Sequence, residues 1–510
     1  MMALRQPDPG GGRELAELTL GLVAVPQDIR VSDVTLDSRE VRPGALFLAC
    51  RGQARHGLAF AAEALARGAR AILYDPSGSE PMRPLECGRG VFTAAVVDLA
   101  GRAGLIADRF FGQPSRALAT VGITGTNGKT TCAWLLAQAL GRCGRPAAYL
   151  GTLGFGFPGE LTAATHTTAD AVNIHRRLAR MRELGAEWAA MEVSSHALDQ
   201  QRIAAVRIHT AVFTNLTRDH LDYHGTMSAY AEAKSKLFAA EGLVNRVINI
   251  DDAFGAQLAR RGGAGCVVAT ARRSAPGERP AAARWVRGGE ARPAGLGLRM
   301  HVASSWGEGD LEVPLIGEFN ADNALTVLAV LLAADVPLSR ALPALGQCRA
   351  APGRMETFGG EDLPLVIVDY AHTPDALAKA LRSARQHCRG RLRVVFGCGG
   401  DRDAGKRPMM GRLAGELADE LILTDDNPRS EPPERITADI LAGIDSPQAV
   451  TVQHDRAAAI ALAVARSERG DVALIAGKGH ESYQIYGAEQ RPFRDQSVVT
   501  EALGRRAEPS

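Results

Sequence analysis

The sequence predicts an α/β protein in three parts: a small N-terminal α/β domain over residues 1–100, a central P-loop-type domain over 101–348, and a Rossmann-like α/β domain over 349–510. Three observations carry this expectation. Between about 101 and 346, apolar β-branched stretches alternate with helical ones, as in a mostly parallel sheet covered by helices. A glycine-rich loop, Gly125-Thr126-Asn127-Gly128-Lys129-Thr130-Thr131, joins an apolar strand at 117–123 to an Ala/Leu-rich helix at 132–140. Beyond Pro352 the alternation resumes, with candidate strands at Leu365–Asp369, Leu392–Phe396, 420–424 and Val472–Ala476.

In the N-terminal part, 34–39 and 44–49 have strand-like apolar content bounded by turn residues. A short amphipathic helix is expected at 59–67 and a further strand at 69–74. In the central part, 269–297 is rich in Arg, Ala, Gly and Pro and reads as a peripheral loop or hairpin insertion. The longest apolar stretch, 324–334, is too short to cross a bilayer and reads as a core helix.

Composition removes several function classes. With 59 Lys and Arg against 57 Asp and Glu, the net charge of +2 supplies neither a basic field for nucleic acid nor a polybasic arm for a membrane surface. Aromatic residues at 5% are too sparse for base-stacking platforms. Residues 1–13 lack the apolar core of a signal peptide. The eight Cys form no C-x-x-C pair, so neither a zinc site nor a disulfide framework is indicated. The expectation is a cytoplasmic monomer acting on small molecules, with no nucleic-acid partner and no membrane insertion.

Lysine usage adds a weaker signal. Only Lys129, Lys234, Lys236, Lys379, Lys406 and Lys478 are Lys, so Arg supplies nearly all the surface positive charge. A retained Lys then points toward a need for a compact primary amine.

The glycine-rich loop carries the first chemistry. Placed between a strand and a helix N-terminus, it aims backbone N–H groups at a phosphate. Lys129 can reach the outer phosphates and the Thr130 hydroxyl can hold Mg²⁺. The usual first glycine of such a loop would fall on Ile123, with Gly122 one position early. Further on, Met191-Glu192-Val193-Ser194 follows an apolar run, and Glu192 at a strand end is suited to Mg²⁺, which takes oxygen ligands. Next come the polar cluster at 214–225, which contains His220 and His224, and then Tyr230-Ala231-Glu232-Ala233-Lys234. Such motifs just after strands match where open α/β sheets bind ligands.

Thr124-Gly125-Thr126-Asn127-Gly128-Lys129-Thr130-Thr131 resembles the signature of the Mur ligases and the related folylpolyglutamate synthetases, which form amide bonds through an acyl phosphate at the expense of ATP. The 191–225 and 230–234 segments resemble the central domain of the Mur ligases. The resemblance implies that Lys234 is carbamylated and that Thr130, Glu192, His220 and Lys234 hold Mg²⁺. It also implies that Asn320 and Asn323 approach the adenine, and that Arg354, Asp369 and His372 contribute to ATP from the third domain. Lys129, Lys234, Arg354 and His220 are the implied catalytic residues.

The resemblance extends to the substrates. Leu36, Ser38, Gln53, Ala54 and Arg55, with His166, Thr167, Thr168, Ser194, Gln200 and Arg202, match segments that bind a UDP-N-acetylmuramoyl dipeptide. Asp426-Asn427-Pro428-Arg429, with Arg402, Gly477 and Glu481, resembles the branch of the family that adds meso-diaminopimelate. There the Arg grips the distal carboxylate and the Glu receives the distal ammonium, whereas a lysine substrate would present an ammonium to the guanidinium. The alternatives are a lysine-adding homologue, a folylpolyglutamate synthetase, or a non-catalytic nucleotide switch. Arg429 opposes the first, His166-Thr167-Thr168 the second, and the apparent second pocket the third.

Overall fold

The computed structural model describes residues 12–26, 28–52, 55–78, 90–164, 166–240, 242–273 and 284–507. Gln53, Ala54 and the 274–283 part of the expected insertion lie outside the described residues. The protein is α/β throughout, and its chain forms two compact units. One takes in the described parts of 1–129 and 144–268; the other takes in those of 130–143, 269–277 and 284–510.

The first unit opens with a four-stranded parallel sheet, β1 (Val34–Thr35), β2 (Leu46–Ala49), β3 (Ala71–Tyr74) and β4 (Phe92–Ala95), in that order. Helix α1 (Leu99–Phe110) turns Leu99, Ala103, Ile106 and Ala107 toward Leu46, Leu48 and Leu73 in one apolar cluster. The stretch at 34–39 is strand only over Val34–Thr35. The Asp37 carboxylate accepts the N–H of Arg39 at 2.9 Å and closes a 3₁₀ turn, Ser38–Glu40, an Asx-type bond that competes with the ladder. Likewise the helix expected at 59–67 is a 3₁₀ turn, Gly57–Phe60, capped by His56, followed by α-helix over Ala61–Ala66.

The second sheet of this unit contains β5 (Ala119–Thr124), β6 (Ala147–Gly151), β7 (Gly154–Phe157), β8 (Glu160–Thr162), β9 (Trp188–Glu192), β10 (Thr210–Phe213) and β11 (Asn245–Asn249). Their order is β8-β7-β6-β9-β5-β10-β11; β6, β9, β5, β10 and β11 run parallel. Parallel neighbours covered by helices are buried on both faces, hence their continuous apolar runs. Glu192 stands opposite Ile123 and Phe213 opposite Thr124, so the segments leaving β5, β9 and β10 emerge at the same edge. Strand β12 (Cys266–Ala271) carries the chain from one unit to the other.

In the second unit, helix α2 (residues 130–142 of Lys129–Arg142) is buried on every side from Thr130 to Leu140. Gln138 Nε2 donates to the carbonyl of Arg349 at 2.9 Å, and Arg142 Nη2 to that of Gln347 at 2.7 Å. Strands β13 (Arg284–Gly288), β14 (Arg292–Ala294), β15 (Gly297–Ser304) and β16 (Gly307–Val313) are antiparallel around β15. The described part of the 269–297 insertion is therefore mostly strand. Helix α3 (Glu318–Ala333) supplies the buried apolar run expected at 324–334.

The rest of this unit is a six-stranded sheet: β17 (Glu356–Gly359), β18 (Leu365–Asp369), β19 (Leu392–Phe396), β20 (Glu420–Leu423), β21 (Thr451–Val452) and β22 (Val472–Ala476). The order is β17-β18-β22-β19-β20-β21, parallel except for the antiparallel edge β17. Apolar clusters fill both faces, one including Ile367, Leu474 and Phe396, the other Val366, Ile475 and Ile422.

Candidate active site

The glycine-rich loop leaves β5 at the shared edge. Gly125 has φ +150°, and a Cβ there would stand 1.9 Å from Thr214 Oγ1, so only glycine fits. The segment after β10 stitches the loop in place. Thr214 Oγ1 donates to the Asn127 carbonyl at 2.6 Å, Asn127 N–H donates to Asn215 Oδ1 at 3.0 Å, and Thr126 N–H donates to the Asn215 carbonyl at 2.8 Å. Lys129 Nζ folds back to the carbonyls of Gly125 and Thr126, both at 2.9 Å. Thr130 and Thr131 begin α2, and both are buried.

Lys234 lies on a helix, Met227–Ser235, and is 1% exposed. Its Nζ donates to the Gly125 carbonyl at 2.8 Å and sits 4.4 Å from the Tyr230 ring centre. Burial, reinforced by the charge of Lys129, pushes its pKa down to about 6. At neutral pH the amine is uncharged and carries a free lone pair. His220 has φ +52° and is half-exposed; its ring meets those of His196 at 4.8 Å and Tyr230 at 6.1 Å.

Glu192, 2% exposed, ends β9. Its Oε1 accepts from Tyr149 Oη at 2.5 Å and from Thr152 N–H at 2.9 Å. Its Oε2 has a longer contact, 3.3 Å, with Thr152 Oγ1. Thr168 Oγ1 donates to the Glu192 carbonyl at 2.9 Å, and Thr152 Oγ1 donates to Thr167 Oγ1 at 3.0 Å. Ser194 N–H donates to Thr168 Oγ1, and Arg202 donates to the Thr168 carbonyl and, through Nε and Nη2, to Gln200 Oε1. Five residues expected at the UDP-substrate, Thr167, Thr168, Ser194, Gln200 and Arg202, thus form one network around Glu192. His166 is exposed on the same loop. Leu36, Ser38 and Arg55 lie in the N-terminal sheet region, where Ser38 Oγ donates to Glu63 Oε2 at 2.7 Å; the hydrogen bonds described do not join them to that network.

In the second unit, Asn320 and Asn323 are buried on the first turns of α3. Asn320 Nδ2 donates to the Ile316 carbonyl at 2.7 Å and Asn323 Nδ2 to Asn320 Oδ1 at 2.9 Å. Arg354 stacks on Tyr370, 4.5 Å from the ring centre, and Tyr370 in turn meets His480 at 5.0 Å and His372 at 4.6 Å. Asp369 accepts the N–H groups of Met355 at 2.8 Å and Ala371 at 2.9 Å, and its pKa is raised by burial against the pull of Arg354. At Gly353, φ +65°, a Cβ would lie 2.1 Å from the Gly479 carbonyl carbon. The Arg354 segment and the 477–481 loop are therefore packed backbone on backbone.

That loop meets the Asp426–Arg429 segment. Asn427 Nδ2 donates to Glu481 Oε2 at 2.9 Å, and a Cβ on Gly477 would stand 2.8 Å from Asp426 Oδ2. Pro428 leads into Arg429, which has φ +54° and whose Nη1 donates to the Gly400 carbonyl at 2.8 Å. Arg402 is exposed on the neighbouring loop. Asp426, Asn427, Gly477 and Glu481 are thus brought into contact, while Arg429 and Arg402 flank Gly399: a Cβ there would lie 2.9 Å from Arg429 Nη1 and 3.6 Å from Arg402 Cγ.

Sequence reasoning gave no role to Tyr149, Tyr370, Arg456, Lys478 or Asp495. Arg456 and Asp495 are fully buried and pair through Nε–Oδ1 at 2.7 Å and Nη2–Oδ2 at 2.8 Å. Of these residues Lys478 carried a signal in its retention in a lysine-poor chain, and Tyr370 stands within the Asp369–His372 motif.

Models described as the Mur ligase family catalytic domain, the Mur ligase middle domain and the Mur ligase glutamate ligase domain match residues 30–100, 123–331 and 353–479. A UDP-N-acetylmuramoyl-L-alanyl-D-glutamate–2,6-diaminopimelate ligase of Ectopseudomonas mendocina (strain ymp) is 47% identical over 482 residues, 94% of this chain and 97% of that protein. The enzyme of the same name from Alkalilimnicola ehrlichii is 49% identical over 483 residues, 94% and 95% of the two chains. A solved structure of a ligase of that name matches with a TM-score of 0.71 at 33% identity, covering 98% of this chain and 100% of the other.

Proposed function

The chain belongs to the Mur ligase family, and from that premise we infer that it joins meso-2,6-diaminopimelate to the D-Glu of UDP-N-acetylmuramoyl-L-Ala-D-Glu in peptidoglycan synthesis, at the expense of ATP. The observation that carries the choice of amino acid is the contact of Asp426 and Asn427 with Gly477 and Glu481 beside Arg429, a set of groups suited to a ligand with both an ammonium and a carboxylate at its far end.

A carboxylate is a poor electrophile, so the D-Glu γ-carboxylate first takes the γ-phosphoryl group of ATP, with release of ADP. The amine of diaminopimelate then attacks the acyl carbon, the C–O bond to phosphate breaks, and the amine's proton is lost. Amide, phosphate and ADP are the products. In this reading Gly125 to Thr131 cradle the triphosphate, Lys129 neutralises its outer oxygens, and Arg354 meets the charge that develops on the transferred phosphoryl group. Asn320 and Asn323 face the adenine, with Asp369 and His372 supporting the Arg354 segment. Leu36, Ser38, Gln53, Ala54, Arg55, His166, Thr167, Thr168, Ser194, Gln200 and Arg202 hold the UDP-dipeptide. Arg402 and Asp426 to Arg429, with Gly477 and Glu481, hold diaminopimelate.

The family also implies Mg²⁺. A carbamate on Lys234 would add an anionic oxygen to the ligand set that the family implies. A buried Lys234 amine, its pKa held down to about 6, suits that conversion. Thr130, Glu192, His220 and carbamylated Lys234 would hold the ion. Bound there, Mg²⁺ would neutralise phosphate oxygens.

Residues 1–100, 101–348 and 349–510 are the corresponding UDP-substrate, ATP and amino-acid domains. No helix among the described residues is long and apolar enough to cross a membrane. The enzyme is read as a cytoplasmic monomer whose partners are these small molecules. ATP consumption by purified enzyme given the UDP-dipeptide and one amino acid at a time tests the assignment: turnover with meso-diaminopimelate supports it, and turnover with L-lysine alone overturns it.

A further inference from the structure

Lys478 is one of the largest fully buried side chains of the protein, at 0% exposure. Its Nζ lies 2.9 Å from Glu481 Oε2, 3.1 Å from Asn427 Oδ1 and 3.5 Å from Asp426 Oδ1. An ammonium has three protons, and three acceptors surround it. Fully buried, with two hydrogen bonds made to Asn427 and Glu481 and an ion pair to Asp426, it has no exposed donor to offer a ligand. Whatever Lys478 does for a substrate, it does through these neighbours.

The neighbours are themselves held. Asn427 Oδ1 also accepts the N–H of Ile485 at 3.0 Å, which fixes the amide so that its Nδ2 points at Glu481 Oε2. Glu481 Oε2 thus receives two donors, Lys478 and Asn427. Among the described residues its other oxygen, Oε1, has no hydrogen-bond partner, and the side chain is 20% exposed. One carboxylate oxygen is anchored to the protein, and the other is presented. Below the loop, Arg456 Nη2 donates at 3.0 Å to the carbonyl of Ala476, just before Gly477, and Asp495 holds that guanidinium from the other side. The loop that carries Lys478 and Glu481 is thereby fixed at its start.

Charge gives this arrangement a second consequence. Asp426 and Glu481 would repel each other across the pocket, and Lys478 is the cation placed on both. With it, Glu481 is held in place. Without it, two carboxylates would compete for the same cation when substrate arrives.

We propose that Lys478 is a positioning residue for amino-acid specificity: by locking Oε2 of Glu481, it aims Oε1 at the distal ammonium of the added amino acid, so that the preference for a substrate carrying that ammonium depends on Lys478. The proposal rests on the reading of this pocket as the diaminopimelate site.

The test compares meso-diaminopimelate with 2-aminopimelate, which lacks only the distal ammonium, in the wild-type enzyme and in Lys478→Met, with ATP and UDP-dipeptide saturating. Wild-type kcat/KM should favour diaminopimelate, and Lys478→Met should reduce that ratio about tenfold or more, the scale of a lost charged hydrogen bond. The change should lie in KM for the amino acid, with KM for ATP unchanged. Equal losses for both amino acids would mean a merely structural role and would overturn the proposal, as would an unchanged ratio. A wild-type enzyme that ignores diaminopimelate would instead sink the reading of the pocket. Should Lys478→Met fail to fold, Glu481→Gln and Glu481→Gln/Lys478→Gln are compared. No further change in the ratio on adding Lys478→Gln supports action through Glu481; a further loss means that Lys478 reads the substrate independently and overturns the proposal.

Discussion

Lys129 and Lys234 donate to one acceptor: both Nζ atoms reach the carbonyl of Gly125, at 2.9 and 2.8 Å. Two ammonium groups so placed repel each other. Burial is the main reason that the Lys234 amine is pushed down to about 6, and the charge of Lys129 adds to it. A carbamate on Lys234 would replace that repulsion with attraction.

Lys129→Ala should abolish ATP turnover while leaving thermal unfolding nearly unchanged. The side chain is only partly buried, and what is lost is a cation facing phosphate rather than a piece of core. A fall in kcat of at least about 100-fold is expected, the scale on which charge-stabilising donors act. Near-normal ligation by a folded variant would refute the role given to this lysine.

Carbamylation of Lys234 predicts a specific spectroscopic mark. Enzyme equilibrated with ¹³C-bicarbonate should show a carbamate carbon resonance that is missing in Lys234→Ala. That variant should lose most of its activity, and a short carboxylic acid should restore part of it by supplying the missing oxygen ligand. Identical spectra for the two proteins would rule the modification out.

Arg429→Ala should weaken diaminopimelate far more than ATP, mainly as a raised apparent KM. The wild-type enzyme should also prefer diaminopimelate to L-lysine by about tenfold or more, because lysine offers the half-buried Arg429 guanidinium no carboxylate, and a hydrogen bond between charged groups is worth about 1.5–3 kcal/mol. Competition assays between the two amino acids measure the ratio directly.

His480 predicts a pH effect on stability. Burial, with Arg354 and Lys478 nearby, pushes its imidazole down to about 4, against about 6.5 in an unfolded chain. Between these values the unfolded chain binds a proton that the folded one does not. Its part of the stability is therefore complete above pH 6.5 and is lost as the pH falls toward 4. Urea midpoints should drop more steeply from pH 7 to 5 in the wild type than in His480→Gln; parallel curves would contradict the assignment.

The α/β class, the parallel runs and the loop at Gly125 were legible because apolar periodicity and glycine placement are local signals. Short pieces were less so: at 34–39 an Asp37 side chain captured an N–H that the pattern had assigned to a strand. Candidate-site residues were named individually, but their arrangement was not legible. Nothing in Gly-Lys-Gly-His-Glu says that Lys478 is buried beneath Glu481, because its partners Asp426 and Asn427 lie some fifty residues away. Tyr149 gave no signal at all: a tyrosine in a strand is ordinary until its hydroxyl is seen on Glu192.

Helix α2 follows the glycine-rich loop directly, yet it makes contacts with the later part of the chain: Cys132 meets Asn323, 191 residues on, and Gln138 meets Arg349. Synthesis is vectorial, at roughly 5–20 residues per second, so this helix leaves the ribosome about 10–40 s before its partners exist. In the folded protein it is buried on every side from Thr130 to Leu140, and these partners are not yet there to cover it during that interval. The glycine-rich loop can be anchored once residues 214–215 are made, but the helix that leaves it waits for these contacts until more than half of the polypeptide has been built.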